Sequence, residues 1–217
     1  KEFKKLNNHI FDLINLVKMN FLPLLTSQLI ERYLEVIKLM TRLTTNESHR
    51  HGLLEFIIMV ASAIAKLPKS SSLWIRCLYP VKDALFHIQS ETSGTALGVL
   101  QAIVSDNSNS LSEECWKFIF DEMLFLAMDD IIEEYFVQLA ENKKMNSPPV
   151  EKAIELTKIG ITTISRVMTF SSKTDFSKVP ISKAIRILLK ILEIPAMQVT
   201  SEVPKFLKAI LDLKISN

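Results

Sequence analysis

Apolar residues return every three or four positions along almost the whole of this 217-residue chain. That spacing is the signature of helices that each bury one face. It is interrupted only by short polar stretches such as TTNESHRHG, KSSS, SDNSNS, ENKKMNSPP and SSKTDFSKV. No two segments alternate apolar and polar residues in the way a pair of half-buried strands requires. Glycine, which tight strand turns and phosphate-cradling loops depend on, occurs only four times. An all-α protein is expected.

The periodicity and its breakers divide the chain into helices at about 3–21, 27–43, 51–67, 72–89, 93–104, 110–141, 148–170, 181–193 and 201–215. In the first, Ile10, Phe11, Ile14 and Val17 share a side, and Pro23 ends it. In the second, Ile30, Leu34, Ile37 and Leu39 recur at helical spacing. Glu31 and Glu35 lie on its wet face, with Lys38 in reach of Glu35. The third is apolar nearly all round, as in a helix packed between neighbours. Pro80 sits inside the fourth, so a kink or break is expected near Tyr79. Ser110 with Glu113 three residues later reads as a capping box. Ser147 and Pro148 read as an N-cap and first helical residue. Short loops make successive helices antiparallel neighbours. Pairs recur at the period of HEAT or armadillo arrays, roughly 40–50 residues. The expected fold is a right-handed α-solenoid of HEAT/armadillo-like antiparallel helix pairs, with a closed bundle as its rival. Residues 1–217 form a single repeat domain, and 142–148 is the best candidate for a sub-break.

The stretch LSEECWKFIFDEMLFLAMDDIIEEYF, residues 111–136, is both strongly apolar and strongly acidic. At about 100° per residue, Phe120, Met123, Leu124, Ala127, Met128, Ile131 and Tyr135 fall on one broad arc. Glu122, Asp129 and Glu133 fall on the opposite side. One wide face is therefore core and the reverse is wet. From Glu113 to Glu141 there are nine acids against Lys117 alone. This stripe is either a solvated face or a docking surface for a basic partner, with Glu122, Asp129, Asp130, Glu133 and Glu134 as candidate contacts. The tail has the opposite charge. From Lys178 onward seven Lys or Arg face three acids, and Lys183, Arg186 and Lys190 share one helix face. That face is either a soluble surface or a contact for an acidic partner, acidic lipid headgroups or the acidic helix of a neighbouring chain.

Signs of chemistry are missing. No phosphate-binding, dinucleotide-binding, nucleophile-elbow or zinc-protease motif is present. His49 and His51 lack a second ligand pair, and His9 and His87 sit in helical segments as structural or surface residues. Cys77 and Cys115 lie in apolar helical settings, as buried free thiols do, and have no C-x-x-C partner. Trp74 and Trp116 read as core anchors. The carboxylates lie on a wet face rather than in a cleft, where acid–base catalysis needs them. A formal charge of +2 argues against a nucleic-acid binder, and no aromatic residues interleave with the basic tail. The expectation is no enzyme, no metal and no cofactor. The longest apolar run, 56–65, is about half of what a bilayer span needs.

One region resembles a known family. Trp74 and Leu78 open a helix. Ala96-Leu97 and Leu100 follow in the next. Then come Ser110-Leu111-Ser112, Trp116, Phe120, the run Met123-Leu124-Phe125, and Met128-Asp129. This pattern resembles the helical repeats downstream of the catalytic domain in the large Arf guanine-nucleotide exchange factors of the BIG type, and is similar to their non-catalytic Mon-type relatives at the Golgi. Leu126 stands where the family tends to have Pro, and Ser93-Gly94-Thr95 stands where it tends to have an Arg. The resemblance implies a non-catalytic regulatory region that contacts other proteins, among them small GTPases of the Arf or Rab type. It would work on the cytosolic side of Golgi or endosomal membranes with peripheral membrane contact, without the exchange domain. The alternative is a helical-repeat scaffold of a nuclear complex. Because the chain starts at Lys1, it is expected to be part of a larger chain or complex.

Overall fold

The computed structural model describes residues 9–10, 12–14, 16, 26–44, 46–67, 70–86, 91–142, 147–174 and 179–215. Among them every regular element is helical. Residues 9–10, 12–14 and 16 are helical, with Ile14 buried and Ile10 half-buried. The rest of the first expected helix, with Phe11, Val17 and Pro23, lies outside the described residues, as do His87 and the interiors of the two long polar loops at 143–146 and 175–178.

Helix α1 is Ser27–Leu43, opened by Thr26, whose hydroxyl accepts from the Leu29 amide. Its core face is Ile30, Leu34, Ile37, Met40 and Thr41. Leu39 was expected on that face but is 56% exposed, because nine steps from Ile30 bring it to the opposite side of the helix. Helix α2 is Glu47–Ile64, and Asn46 caps it by accepting from the Ser48 amide at 3.0 Å. The cap starts the helix before His49 and His51, so both lie in its first turns rather than in a loop. Helix α3 is Ser71–Leu85 and runs on through Pro80 without a break. Burial of Trp74, Cys77, Leu78, Val81 and Leu85 on both sides of the proline outweighs the amide bond it cannot make. Helix α4 is Thr92–Asn107, followed by a tight turn at Ser108–Ser110.

Helix α5 is continuous from residue 113 to 142, with α-helical ends at Glu113–Lys117 and Phe125–Asn142 and a π-helical stretch at Phe118–Leu124. Its cap is Ser112, not Ser110: the Ser112 hydroxyl accepts from the Cys115 amide, while Ser110 ends the preceding turn and Leu111 turns inward. In a π-turn each residue advances less around the axis. Met123, Leu124 and Phe125 can therefore all be buried in succession. Phe120 stacks between Trp116 at 6.1 Å and Phe125 at 5.8 Å. Helix α6 is Pro148–Ser171, α7 is Ile181–Leu192, α8 is the short Met197–Thr200 and α9 is Val203–Ile215. One helix from 201 was expected in the last region. Pro204, without an amide hydrogen, is favoured in the first turn of a helix, and it stands there as the second residue of α9.

Packing follows a simple order. Each helix touches its successor in a pair: α1 with α2, α3 with α4, α5 with α6, α7 with α9. Helices two apart also touch, α1 to α3 to α5 to α7 in one file and α2 to α4 to α6 to α9 in the other. A single cluster of buried side chains runs between the files from Ile14 to Leu213. Where α5 meets α6, a Cβ on Gly160 would come within 2.3 Å of Met128 Sδ, so the absent side chain sets how closely the two helices approach.

Candidate functional site

The apolar arc expected on α5 is buried throughout, from Phe120 to Tyr135. That burial sends the acids to the flanks, where α3 lies on one side and α7 on the other. On the α3 side, Lys82 Nζ reaches Glu122 at 2.9 Å and also lies 5.2 Å from the centre of the Phe118 ring. On the α7 side, Lys183 Nζ reaches Asp121 at 2.6 Å. Asp129 takes both Arg186 and Lys190 at 2.7 Å, and Glu133 lies 3.9 Å from Lys190. The acidic stripe and the basic tail are thus brought together within one chain. Glu122, Asp129, Lys183, Arg186 and Lys190 have intramolecular partners that account for their facing charges.

Of the remaining candidate acids, Glu133 stands at the edge of this network, 3.9 Å from Lys190. Glu133 is exposed. Glu134 is half-buried and accepts from the Gln138 side-chain amide at 2.8 Å. At Asp130, burial first and the charges of Glu133 and Asp129 second push the carboxyl pKa up.

Sequence reasoning missed Asp121, Lys82 and the same arrangement between α1 and α3. There Arg76 lies between Glu31 at 2.8 Å and Glu35 at 3.0 Å, and Arg42 reaches Asp83 at 2.6 Å. Lys38, expected near Glu35, instead sits over the Tyr79 ring at 4.8 Å. The missed signal was legible as a spacing. Arg42 and Asp83, Glu35 and Arg76, and Lys82 and Glu122 are opposite charges 40 or 41 residues apart.

Two surface clefts flank the start of α6. One of about 340 Å³ is lined by Glu91, Gly94, Lys152, Glu155, Leu156 and Ile159. The other, of about 280 Å³, shares Lys152 and Leu156 and adds Ile131, Glu134, Gln138 and Pro149. Both mix apolar side chains with carboxylates and the Lys152 ammonium. Cys77 and Cys115 are both buried and free, and burial pushes both thiols up. His51 Nε2 lies 3.3 Å from Thr95 Oγ1. Among the described residues no group of three or more His, Cys, Asp or Glu is placed to hold a metal ion, and no helix is long and apolar enough to cross a membrane. Comparison of the chain with protein-family models, with curated proteins and with solved structures yields no match.

Proposed function

We propose that the chain is a non-catalytic scaffold: a right-handed α-solenoid of HEAT/armadillo-like helix pairs whose outer surface holds other proteins. The observation that supports it most directly is register. Side chains 40 to 44 residues apart meet at successive pairs, from Arg42–Asp83 and Glu35–Arg76 through Lys82–Glu122 and His51–Thr95 to Thr162–Glu202. A repeat that contacts only its neighbours produces such an offset, which lengthens to 57–62 residues between α5 and α7, where the long α6 and the loop after it intervene; such a rod offers a long surface for partners. Through the likeness of residues 74–129 to the repeats of the large Arf exchange factors and their Mon-type relatives, the reading extends to membrane traffic. The partners are then Arf- or Rab-type GTPases at the cytosolic face of Golgi or endosomal membranes. Asp130, Glu133 and Glu134 are the charged contacts.

The test is direct binding of purified Arf and Rab GTPases, each loaded with GDP or a GTP analogue, at low and high salt. Binding is expected to weaken as salt rises. The triple reversal Asp130→Lys, Glu133→Lys, Glu134→Lys should weaken it tenfold or more with helicity unchanged. No GTPase binding, together with retention of nuclear-transport or chromatin proteins from lysate, would overturn the trafficking reading and favour the nuclear scaffold.

A further inference from the structure

The bases of the two files differ in their partners. Those of α3 and α7 lie against carboxylates of α1 and α5: Arg76, Lys82, Lys183, Arg186 and Lys190 each hold one or two. Further along the other file the bases stand open. On α6, at about 100° per residue, Lys158, Thr162, Arg166, Thr169 and Lys173 fall within an arc of about 80°, and the three bases among them are exposed. On α9, Lys205 and Lys208 are exposed about 60° apart. Glu202 joins the two rows. Its carboxylate accepts from Thr162 of α6 at 3.3 Å and from Lys205 at 2.9 Å, and Lys158 is close enough for its charge to help hold the Glu202 pKa down. Among the described residues Lys158, Arg166, Lys173 and Lys208 form no ion pair. On this surface five bases therefore stand against Glu202, which is buried, and Asp212.

We infer that this α6–α9 surface is where the chain meets an anionic membrane. The inference rests on the membrane placement in the proposed function and not on its GTPase partners. From Lys158 to Lys173 the row on α6 extends about 22 Å at ~1.5 Å per residue. Bases spread over that length and over two helices suit the many mobile phosphates of a lipid surface better than one compact ligand. The charges are also sided. Asp130 and Glu133 belong to α5 in the other file, across the core. A leaflet that attracts α6 and α9 therefore leaves these acids on the far side, open to protein partners. Lys183, Arg186 and Lys190, the bases that the sequence offers to acidic lipids, are already held by α5. Lys158, Arg166 and Lys208 have no carboxylate to give up before they reach a phosphate.

Co-sedimentation of the full chain with vesicles tests this. Phosphatidylcholine vesicles carrying about one third phosphatidylserine should bind it at ~0.1 M salt, pure phosphatidylcholine vesicles should not, and ~0.5 M salt should release it. Lys158→Gln, Arg166→Gln and Lys208→Gln together should weaken binding on the order of a hundredfold, about fivefold per base, with an unchanged circular dichroism spectrum. Arg32→Gln with Lys117→Gln, at exposed bases of α1 and α5, should bind as the wild type does. A wild-type chain that phosphatidylserine does not recruit, including one that takes up polyglutamate instead, would overturn the inference. So would a triple variant that still binds, or a control pair that loses as much as the triple variant. GTPase binding in solution is read separately: its absence overturns the partners of the proposed function, while vesicle binding lost in the triple variant still supports this surface.

Discussion

Replacing Asp129 by Asn keeps the shape of the side chain and removes its charge. Two contacts at 2.7 Å, from Arg186 and Lys190, lose their ionic character. The Asp129 side chain is only 16% exposed, whereas Arg186 is 60% and Lys190 34% exposed. Water therefore screens the cations well and the carboxylate poorly. An exposed pair contributes ~0.2–1 kcal/mol and a hydrogen bond to a charged group ~1.5–3 kcal/mol. After discounting for the exposed cations, the two contacts together contribute about 1–2 kcal/mol. At ~2–4 °C per kcal/mol for a chain of this size, Asp129→Asn should lower Tm by about 2–8 °C in low salt. Going from 0.1 M to 1 M salt shortens the screening length from ~10 Å to ~3 Å, so the gap between variant and wild type should shrink there. Combining Asp129→Asn with Lys190→Met should cost less than the sum of the two single changes, because they share one interaction. Thermal unfolding followed by circular dichroism measures the loss, and hydrogen exchange of the α7 amides locates it. Equal stability of Asp129→Asn and wild type in low salt, or a loss that salt leaves untouched, would refute the claim that this carboxylate holds α7 to α5.

Four further outcomes are expected. Gly160→Ala should destabilise the chain by about 1–2 kcal/mol, since the clash with Met128 exceeds the ~1 kcal/mol that alanine adds to helix propensity; in a Met128→Ala background the sign should reverse, read by urea unfolding. Ser112→Ala should cost about 1 kcal/mol through loss of the α5 cap, measured the same way. The Glu202 carboxylate accepts from Lys205 and Thr162, and chiefly the Lys205 bond holds its pKa down; a depressed folded pKa contributes stability above the ordinary glutamate range that is lost as pH falls through it, so Glu202→Gln should flatten the fall of Tm between neutral pH and about pH 3. Asp130 is the opposite case: its raised pKa means the ionised form costs stability at neutral pH, so Asp130→Asn should raise Tm there, with the gain fading as acid protonates the wild-type carboxyl.

Much of the fold was legible because helix periodicity is local. The expected limits of α1 match the structure, and those of α6 and α7 fall within one residue of it. Where local signals competed, they misled. Ser110 and Ser112 are equally good caps by residue type, and the inward turn of Leu111 selects the second. Pro80 breaks an isolated helix, but one buried on both sides of the proline continues. The candidate site was legible in its residues and not in its pairing. The acids of α5 and the bases of α7 were both visible, yet Asp129 and Lys190 are 61 positions apart in the chain.

The sequence alone determines that this chain is helical, where most of the helices lie and which side of each is apolar, because side-chain period and backbone propensity act over a few residues. Tertiary structure decides what faces what. Only the stacking of α3, α5 and α7 in one file turns an acidic stripe and a basic tail into inter-helix ion pairs, because partners so distant meet only after the apolar arcs between them are buried. It likewise decides that Ile185, Leu189 and Leu192 remain uncovered: the pattern of α7 has two apolar sides, and the chain supplies a core for one of them.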